Sequence, residues 1–564
     1  MKKFLFTTTI LLLFFLSGCN DFLDTVPDNR TEIDGMDKVW KLLSNAYPKK
    51  TYTAMLEARC DGMTSFGSTF RGGQQDESFD FLRGGFYWMP QTPSDCDDSH
   101  KRFWEASYEA ISYCNFALEA MGKFGNQFDP QEVKLARAEA KIARAYNHFM
   151  LLTMFTNLFD KSHLDEHPGI PYVEETESEV FKKYQRGTIA ETLRKIERDL
   201  FDEINTVGTS ATYKQPKFHF TRDAACAFAV RYCLFTGDYS RAIMYADRIF
   251  PMATTYTAAT TTNAIDESPK VYVAETDNAY QYAKNVLFDM VAYRATGVDL
   301  YAPGIMFSNP KNPSYLLMVE VETLAMRGYL GTLLTTYAYD AVTLTSLGSA
   351  TNVTGAKWTL PLLQFTGDPT AFFVKYYEDM LLVNEAAGIG YVYNKINLFR
   401  LEEVLLARAE AKAMLGNIQE AIDDLNLYAQ RKVAAYNYAS HRLDKDKIHK
   451  FYENSVGDNE SFVNNKYNQN VFSDDVEGIL KKELILTVLD FRRTEFLLEG
   501  MRYLDILRWN IPVTHTRLTD GMSHTLYPDD DNRILQLPET TSLSGLQPNP
   551  MEHITDPWPN VIYK

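Results

Sequence analysis

Apolar residues recur at helical spacing through most of the chain. Val39, Trp40, Leu42, Leu43 and Ala46 form a stripe beginning near Gly35, which predicts a helix with one buried face. Trp104, Tyr108, Ile111 and Phe116 repeat the pattern after Phe103. Asp129-Pro130-Gln131-Glu132 places an acceptor at the cap, proline in the first turn and Glu three residues on, a helix start. Ala138, Ile142, Ala145, Tyr146 and Leu152 carry that helix towards Phe159. Gly187-Thr188-Ile189-Ala190-Glu191 predicts a capping box, with Leu193, Ile196 and Leu200 following on one face.

Gly237-Asp238-Tyr239-Ser240-Arg241-Ala242-Ile243 matches Gly416-Asn417-Ile418-Gln419-Glu420-Ala421-Ile422. An Ala-rich helical stretch precedes each and an amphipathic one follows, as in tetratricopeptide-like helix pairs. Glycine ends the first helix and the small Ala lets the second pack closely; such pairs bury their apolar faces by stacking. Residues 251–397 break the helical pattern. Ala253 to Ala264 reads as a Thr/Ala-rich exposed loop, and Val286-Leu287-Phe288 and Leu316-Leu317-Met318-Val319 read as short strands. Glu57 to Asp98 reads as a loop-rich stretch with exposed aromatics: Phe66, Phe70, Phe79, Phe81, Phe86, Tyr87 and Trp88.

The first residues alter the picture of where the protein works. Lys2 and Lys3 precede an apolar run, Phe4 to Leu16, and then Leu16-Ser17-Gly18-Cys19. This reads as a secretory signal, and the run is shorter than the roughly 20 apolar residues of a spanning helix. A Cys directly after Ser-Gly resembles the bacterial lipoprotein lipobox, in which Cys19 is acylated and becomes the mature N-terminus. Asn20 to Arg30 reads as a tether. The net charge is −17, and losing Lys2 and Lys3 with the leader takes it near −19. That surface repels nucleic acid and anionic lipid heads, which excludes both as partners. Attachment to a membrane then rests on the lipid. Cys60, Cys96, Cys114, Cys226 and Cys233 are odd in number and match no zinc spacing, so they read mostly as small buried hydrophobes.

Catalytic signatures are lacking: there is no phosphate loop, no His-Glu-x-x-His and no nucleophile elbow. Asp95, Asp97 and Asp98, and Asp529, Asp530 and Asp531, lack the spaced pattern of a calcium loop and read as solvated. Glu495 and Glu499 could form a glycosidase pair. With Arg492, Arg493, Arg502 and Arg508 around them, together with Asp505, they read instead as a structural ion-pair network. No cofactor is implied.

Asn397-Leu398-Phe399-Arg400-Leu401-Glu402-Glu403-Val404-Leu405-Leu406-Ala407-Arg408-Ala409-Glu410-Ala411 resembles the Arg-x-x-Glu-Val-x-Leu-x-x-Ala-Glu-Ala helix of the SusD/RagB family. Glu495-Phe496-Leu497-Leu498-Glu499-Gly500-Met501-Arg502-Tyr503-Leu504-Asp505-Ile506-Leu507-Arg508-Trp509 is similar to its Glu-Gly-x-Arg-x-x-Asp-x-x-Arg-Trp signature. The helix from Trp104 to Asn115 and the tail from Leu535 to Pro550 also resemble the family's, although Pro548 interrupts the closing Gln-Asn-Pro. The resemblance implies a cell-surface lipoprotein that captures glycan or peptide, delivers it to a SusC-like TonB-dependent outer-membrane transporter and is not an enzyme. The fold it implies is mostly α: a tetratricopeptide-like helical-repeat scaffold with a large irregular, loop-rich elaboration containing short strands. Residues 1–18 would be the signal, 19–34 the lipidated tether and 35–564 one body. Its scaffold would occupy about 35–56, 101–250 and 396–510, and its ligand-binding elaboration about 57–100 and 251–395.

The resemblance carries no ligand-site motif, so binding residues follow from chemistry. A sugar offers hydroxyls and flat C–H faces, which call for aromatic platforms beside polar side chains. Trp88 and Tyr87, among Gly84, Gly85 and Pro90, are the first platform, or else a buried loop anchor. Asp61, Arg59 and Arg71 could supply polar contacts. Trp358, Tyr391 and Tyr393 are further candidates; Tyr391 and Tyr393 alternate, which puts both rings on one strand face, either exposed or core-facing. Trp40, Trp104 and Trp509 fall inside helical stripes and read as core. Oligosaccharide is the leading ligand; a peptide ligand, a protein scaffold without small ligand and a hydrolase are the rivals.

Overall fold

The computed structural model describes residues 33–65, 80–90, 98–177, 182–250, 283–287, 307–323, 337–348, 350–359, 363–366, 371–376, 378–384, 386–453, 471–559 and 561. Cys19, Arg71 and Cys96, and the loop from Ala253 to Ala264, lie outside them.

Helices carry the body: α1 (Met36–Leu43), α2 (His100–Lys123), α3 (Pro130–Phe155), α4 (Ile189–Phe201), α5 (Arg222–Thr236), α6 (Tyr239–Ala246), α7 (Leu401–Met414), α8 (Ile418–Lys432), α9 (Val476–Glu495) and α10 (Met501–Arg508). The start signals act as their chemistry predicts. Asp129 accepts from the Gln131 N–H. Thr188 and Glu191 form the reciprocal capping box of α4. Helices α5/α6 and α7/α8 are the two repeat pairs. Gly237 and Gly416 sit at φ +85° and +82° in the turns, a conformation glycine adopts without strain. Ala242 and Ala421 are fully buried.

Helix α7 is the hub, packed against α5, α6, α8 and α9. Every residue from Leu401 to Ala413 is buried, so no face is left for its charged side chains. Each therefore needs a counter-charge. Glu402 pairs with Lys432 (3.2 Å), Glu403 with Arg231 (2.6 Å), Arg408 with Asp424 (2.7 Å) and Asp247 (2.8 Å), Glu410 with Arg508 (2.6 Å), and Lys412 with Asp424 (2.9 Å).

Strands form three small sheets. One has the order β3-β1-β8-β9, from β1 (Met63–Ser65), β3 (Tyr337–Tyr339), β8 (Val513–Arg517) and β9 (Met522–Leu526). The second, β2-β7-β6, joins β2 (Tyr315–Val321), β7 (Ile389–Arg400) and β6 (Glu378–Asn384), and the third pairs β4 (Leu363–Thr366) with β5 (Ala371–Val374). The strand expected at Leu316–Val319 is β2. The one expected at Val286-Leu287 is not a strand: residues 283–286 are helical, closed by the Leu287 N–H to the Ala283 carbonyl (3.0 Å). Residues 80–86 are also helical rather than loop. Cys60, Cys114, Cys226 and Cys233 are unpaired and buried, as small hydrophobes. No helix among the described residues is long and apolar enough to cross a membrane.

Candidate functional site

The expected Trp88–Tyr87 platform lies in the core. Phe86, Tyr87 and Trp88 turn inward at the end of helix 80–86, and Trp88 is 3% exposed. It stacks on His515 (centroids 4.4 Å apart), and Tyr87 meets Trp558 edge-on at 5.2 Å. Trp88 sits at φ +51°, a conformation disfavoured for a bulky side chain and held here by the rings around it. The residue is a loop anchor.

The neighbouring polar candidates are structural too. Arg59 is 1% exposed, lies over the Tyr503 ring and donates to the backbone carbonyls of Met89 and Asn532. Asp61 accepts a two-point contact from Arg502 (2.9 Å each) and pairs with Arg493 (3.4 Å). Burial works to raise its pKa, but Arg493 and Arg502 hold its carboxyl well below the usual range. Trp358 is buried edge-on against Phe491 at 4.6 Å. Trp104 and Trp509 are core residues. Trp40 is half-buried, and its indole N–H donates to Glu132 (2.9 Å).

Tyr391 and Tyr393 stand differently. Both point from the same side of β7, with Tyr391 65% exposed and Tyr393 half-buried. Antiparallel register places Leu381 of β6 opposite Tyr391 and Asp379 opposite Tyr393. Lys395, two residues on, pairs with Asp379 (2.7 Å) and lies 5.4 Å from the Tyr393 ring centre. The Asp379 carboxyl is held below its ordinary range, first by Lys395. The hairpin owes its register to two features. Asn384 accepts from the Ala387 N–H in the turn (3.1 Å). Gly390 lets the Leu381 carbonyl approach to 2.3 Å from where a Cβ would stand. The result is an open aromatic strip with an acid and an amine at one end, a surface that can stack on a flat C–H face and exchange hydrogen bonds with hydroxyls.

A second concave region, a cleft of about 720 Å³, lies where α3, α5, α7 and α10 end and α6 begins. Phe159, Tyr239 and Trp509 give it aromatic walls, and Asn157, Asn510 and Asp529 give it polar ones. Asp160 and His167 stand on its lining. Sequence reasoning passed over this cleft, because its walls come from distant segments; the local signal was Asp160 followed by His163 and His167.

The acid pair is committed to the scaffold. Glu495 bonds Arg400, Lys432 (3.1 Å) and the Tyr428 hydroxyl (2.6 Å), and Glu499 bonds Lys375 and Arg400 (2.5 Å each). Burial would raise the Glu495 pKa, but Lys432 and Arg400 hold it down to about 2. A carboxyl so firmly ionised is a poor proton donor near neutrality. Asp530 and Asp531 likewise tie down the tail: Asp530 accepts from Thr555 (2.8 Å), and Asp531 from the backbone N–H of Glu552 (2.8 Å) and His553 (2.7 Å).

Comparison with known families matches residues 21–234 to a SusD-like family described as starch-binding and associating with the outer membrane, and residues 349–541 to the SusD family. The chain belongs to the SusD/RagB family. Solved SusD-superfamily structures share its fold. One from Bacteroides vulgatus superposes with a TM-score of 0.58 at 16% identity, covering 91% of this chain and 98% of its own. A putative sugar-binding protein from the same organism gives 0.57 at 19%, covering 92% and 99%. A laminarin-binding SusD-like protein gives 0.51 at 14%, covering 91% and 98%. No curated protein matches. In this SusD-family chain the signature side chains Arg400, Glu403, Glu410, Glu495 and Arg508 all serve buried ion pairs, so the signature specifies the scaffold.

Proposed function

We propose that this SusD-family protein is a lipid-anchored, cell-surface binder that captures oligosaccharide and hands it, uncleaved, to a TonB-dependent outer-membrane transporter. Membership of a family described as starch-binding and associating with the outer membrane carries this reading. Two structural neighbours are described as putative sugar-binding and laminarin-binding. The Tyr391–Tyr393 strip supplies the stacking surface, and Asp379 and Lys395 supply hydrogen-bonding partners. Cys19 supplies the anchor.

Isothermal titration of starch- and laminarin-derived oligosaccharides into the wild type and a Tyr391→Ala/Tyr393→Ala variant tests the site. Binding by the wild type that weakens about tenfold or more in the variant, a loss of about 1.4 kcal/mol, supports it. Equal affinity in both rejects the strip.

The transporter would meet the apolar residues of the same hairpin. Among the described residues strand β6 is a sheet edge, and Met380, Leu382, Val383 and Ile389 are all exposed apolar residues. An unpaired edge lined with apolar side chains suits a protein partner. Co-purification of an outer-membrane barrel with the wild type, reduced by Leu382→Lys/Val383→Lys, is the expected outcome.

A further inference from the structure

The segment after α3 folds as consecutive turns that end in one helical turn. The His163 N–H bonds the Asp160 carbonyl (3.2 Å), and the His167 N–H bonds the His163 carbonyl (2.9 Å). This loop is fastened to the start of α4. The Ile189 N–H bonds the His167 carbonyl (3.1 Å), and the Ala190 N–H bonds the Leu164 carbonyl (3.0 Å). Leu164 packs against the core. Three side chains thereby converge on a frame held from behind. Asp160 Oδ2 lies 2.9 Å from His163 Nδ1 and 2.8 Å from His167 Nε2. Ser162 Oγ donates to the other carboxylate oxygen, Oδ1 (2.9 Å), and fixes the group's orientation.

We propose that Asp160, His163 and His167 form a binding site for a divalent transition-metal cation of the zinc class at the edge of the cleft. One ligand atom from each residue lies within 4.8 Å of the others. A zinc ion bonded at about 2.0–2.1 Å to nitrogen and oxygen in tetrahedral geometry sets its ligand atoms about 3.3 Å apart. The apo contacts, 2.8 and 2.9 Å, need only open by a few tenths of an ångström to admit it. Two imidazoles and one carboxylate select Zn²⁺, Ni²⁺ or Cu²⁺ over Ca²⁺ and Mg²⁺, which prefer oxygen ligands throughout. The same loop carries Asp165 and Glu166 and, next to Asp160, Lys161. Three protein ligands leave at least one coordination position open, as in sites that take an outside ligand. Asp160 and His167 line the cleft, so that position faces a space able to hold a bound molecule.

The test is calorimetric titration of Zn²⁺ and of Ca²⁺ into the untagged full chain, paired with absorption of the Co²⁺-substituted protein. The expected result is one Zn²⁺ per chain and a visible Co²⁺ d–d band of tetrahedral intensity. Asp160→Asn and the double variant His163→Gln/His167→Gln should each weaken Zn²⁺ at least tenfold. These side chains are partly exposed, so the apo variants should melt within a few degrees of the wild type, which separates loss of the site from loss of the fold. Absence of saturable Zn²⁺ binding, unchanged affinity in the double variant, or Ca²⁺ bound as tightly as Zn²⁺ overturns the assignment.

Discussion

Arg508 and Glu410, 98 residues apart, meet in a two-point ion pair with contacts of 2.6 and 2.9 Å. The indole N–H of Trp509 donates to the same carboxylate (3.1 Å). Two stretches that carry the family likeness, the Ala-Glu-Ala helix and the Arg-Trp segment, are thus the two halves of one buried contact. Removing one side leaves the other charge buried against part of its former shell, which costs about 3–5 kcal/mol. Glu410→Ala should lower the unfolding free energy by that amount in urea denaturation; a change below about 1 kcal/mol would show that the pair contributes little.

Trp88 and Tyr391 should part company under substitution. Trp88 is buried against His515 and Trp558, so Trp88→Ala opens a cavity and should cost about 3–5 kcal/mol. Tyr391 is largely exposed, and Tyr391→Ala should change stability by no more than about 0.5 kcal/mol while weakening glycan retention in affinity gels. Lost retention in a still-folded Trp88→Ala protein, with normal retention in Tyr391→Ala, would reverse the two roles.

His148 makes folding sensitive to acid. Its Nδ1–H donates to the Arg144 carbonyl (2.8 Å), and its Nε2 accepts from the Val173 N–H (3.0 Å), so the folded ring is neutral. Burial pushes its pKa from 6.5 down to about 3. Between these values the unfolded chain binds the proton and the native chain does not. The contribution is therefore complete above pH 6.5 and is lost as pH falls towards 3, at about 1.4 kcal/mol per pH unit. Asp423, pushed up by burial from 3.8 to about 6, has the opposite sign, favouring the fold at low pH and losing that contribution as pH rises through 6. Melting curves of wild type and His148→Gln from pH 7 to 4 isolate the histidine. The variant should show the shallower decline, and parallel curves would contradict the assignment.

The capping box at α4 is a local and separable element. Thr188→Ala should cost about 1 kcal/mol, read as a lowered urea midpoint with unchanged slope. Glu191→Ala should cost less. A larger loss from Glu191 than from Thr188 would mean that the carboxylate has another partner.

What the sequence made legible was governed by neighbours in the chain. The caps at Asp129 and Thr188, the paired turns at Gly237 and Gly416, and strand β2 all depend on residues a few positions apart, and each stands where its pattern placed it. Glu495 and Glu499 do enter ion pairs, but with Arg400, Lys375 and Lys432 from distant segments, while the neighbouring Arg492, Arg493, Arg502 and Arg508 pair with Asp505, Asp61 and Glu410 instead. The binding candidates depend on distant partners. Trp88 looked like a loop residue among glycines, yet its burial is decided by His515 and Trp558, which no local spacing announces. Asp61 looked free until Arg493 and Arg502 folded onto it. Alternation at Tyr391 and Tyr393 gave their shared face, but whether that face met solvent or core depended on what packs over the sheet, and Tyr391 is largely exposed.

Affinity electrophoresis of the full chain through gels containing a panel of polysaccharides, with assay of the same mixtures for newly released reducing ends, tests the central claim most directly. Retarded migration in at least one glycan with no reducing ends released is the predicted result. Unretarded migration across the panel, or release of sugar that disappears in a Glu495→Gln variant, would contradict it.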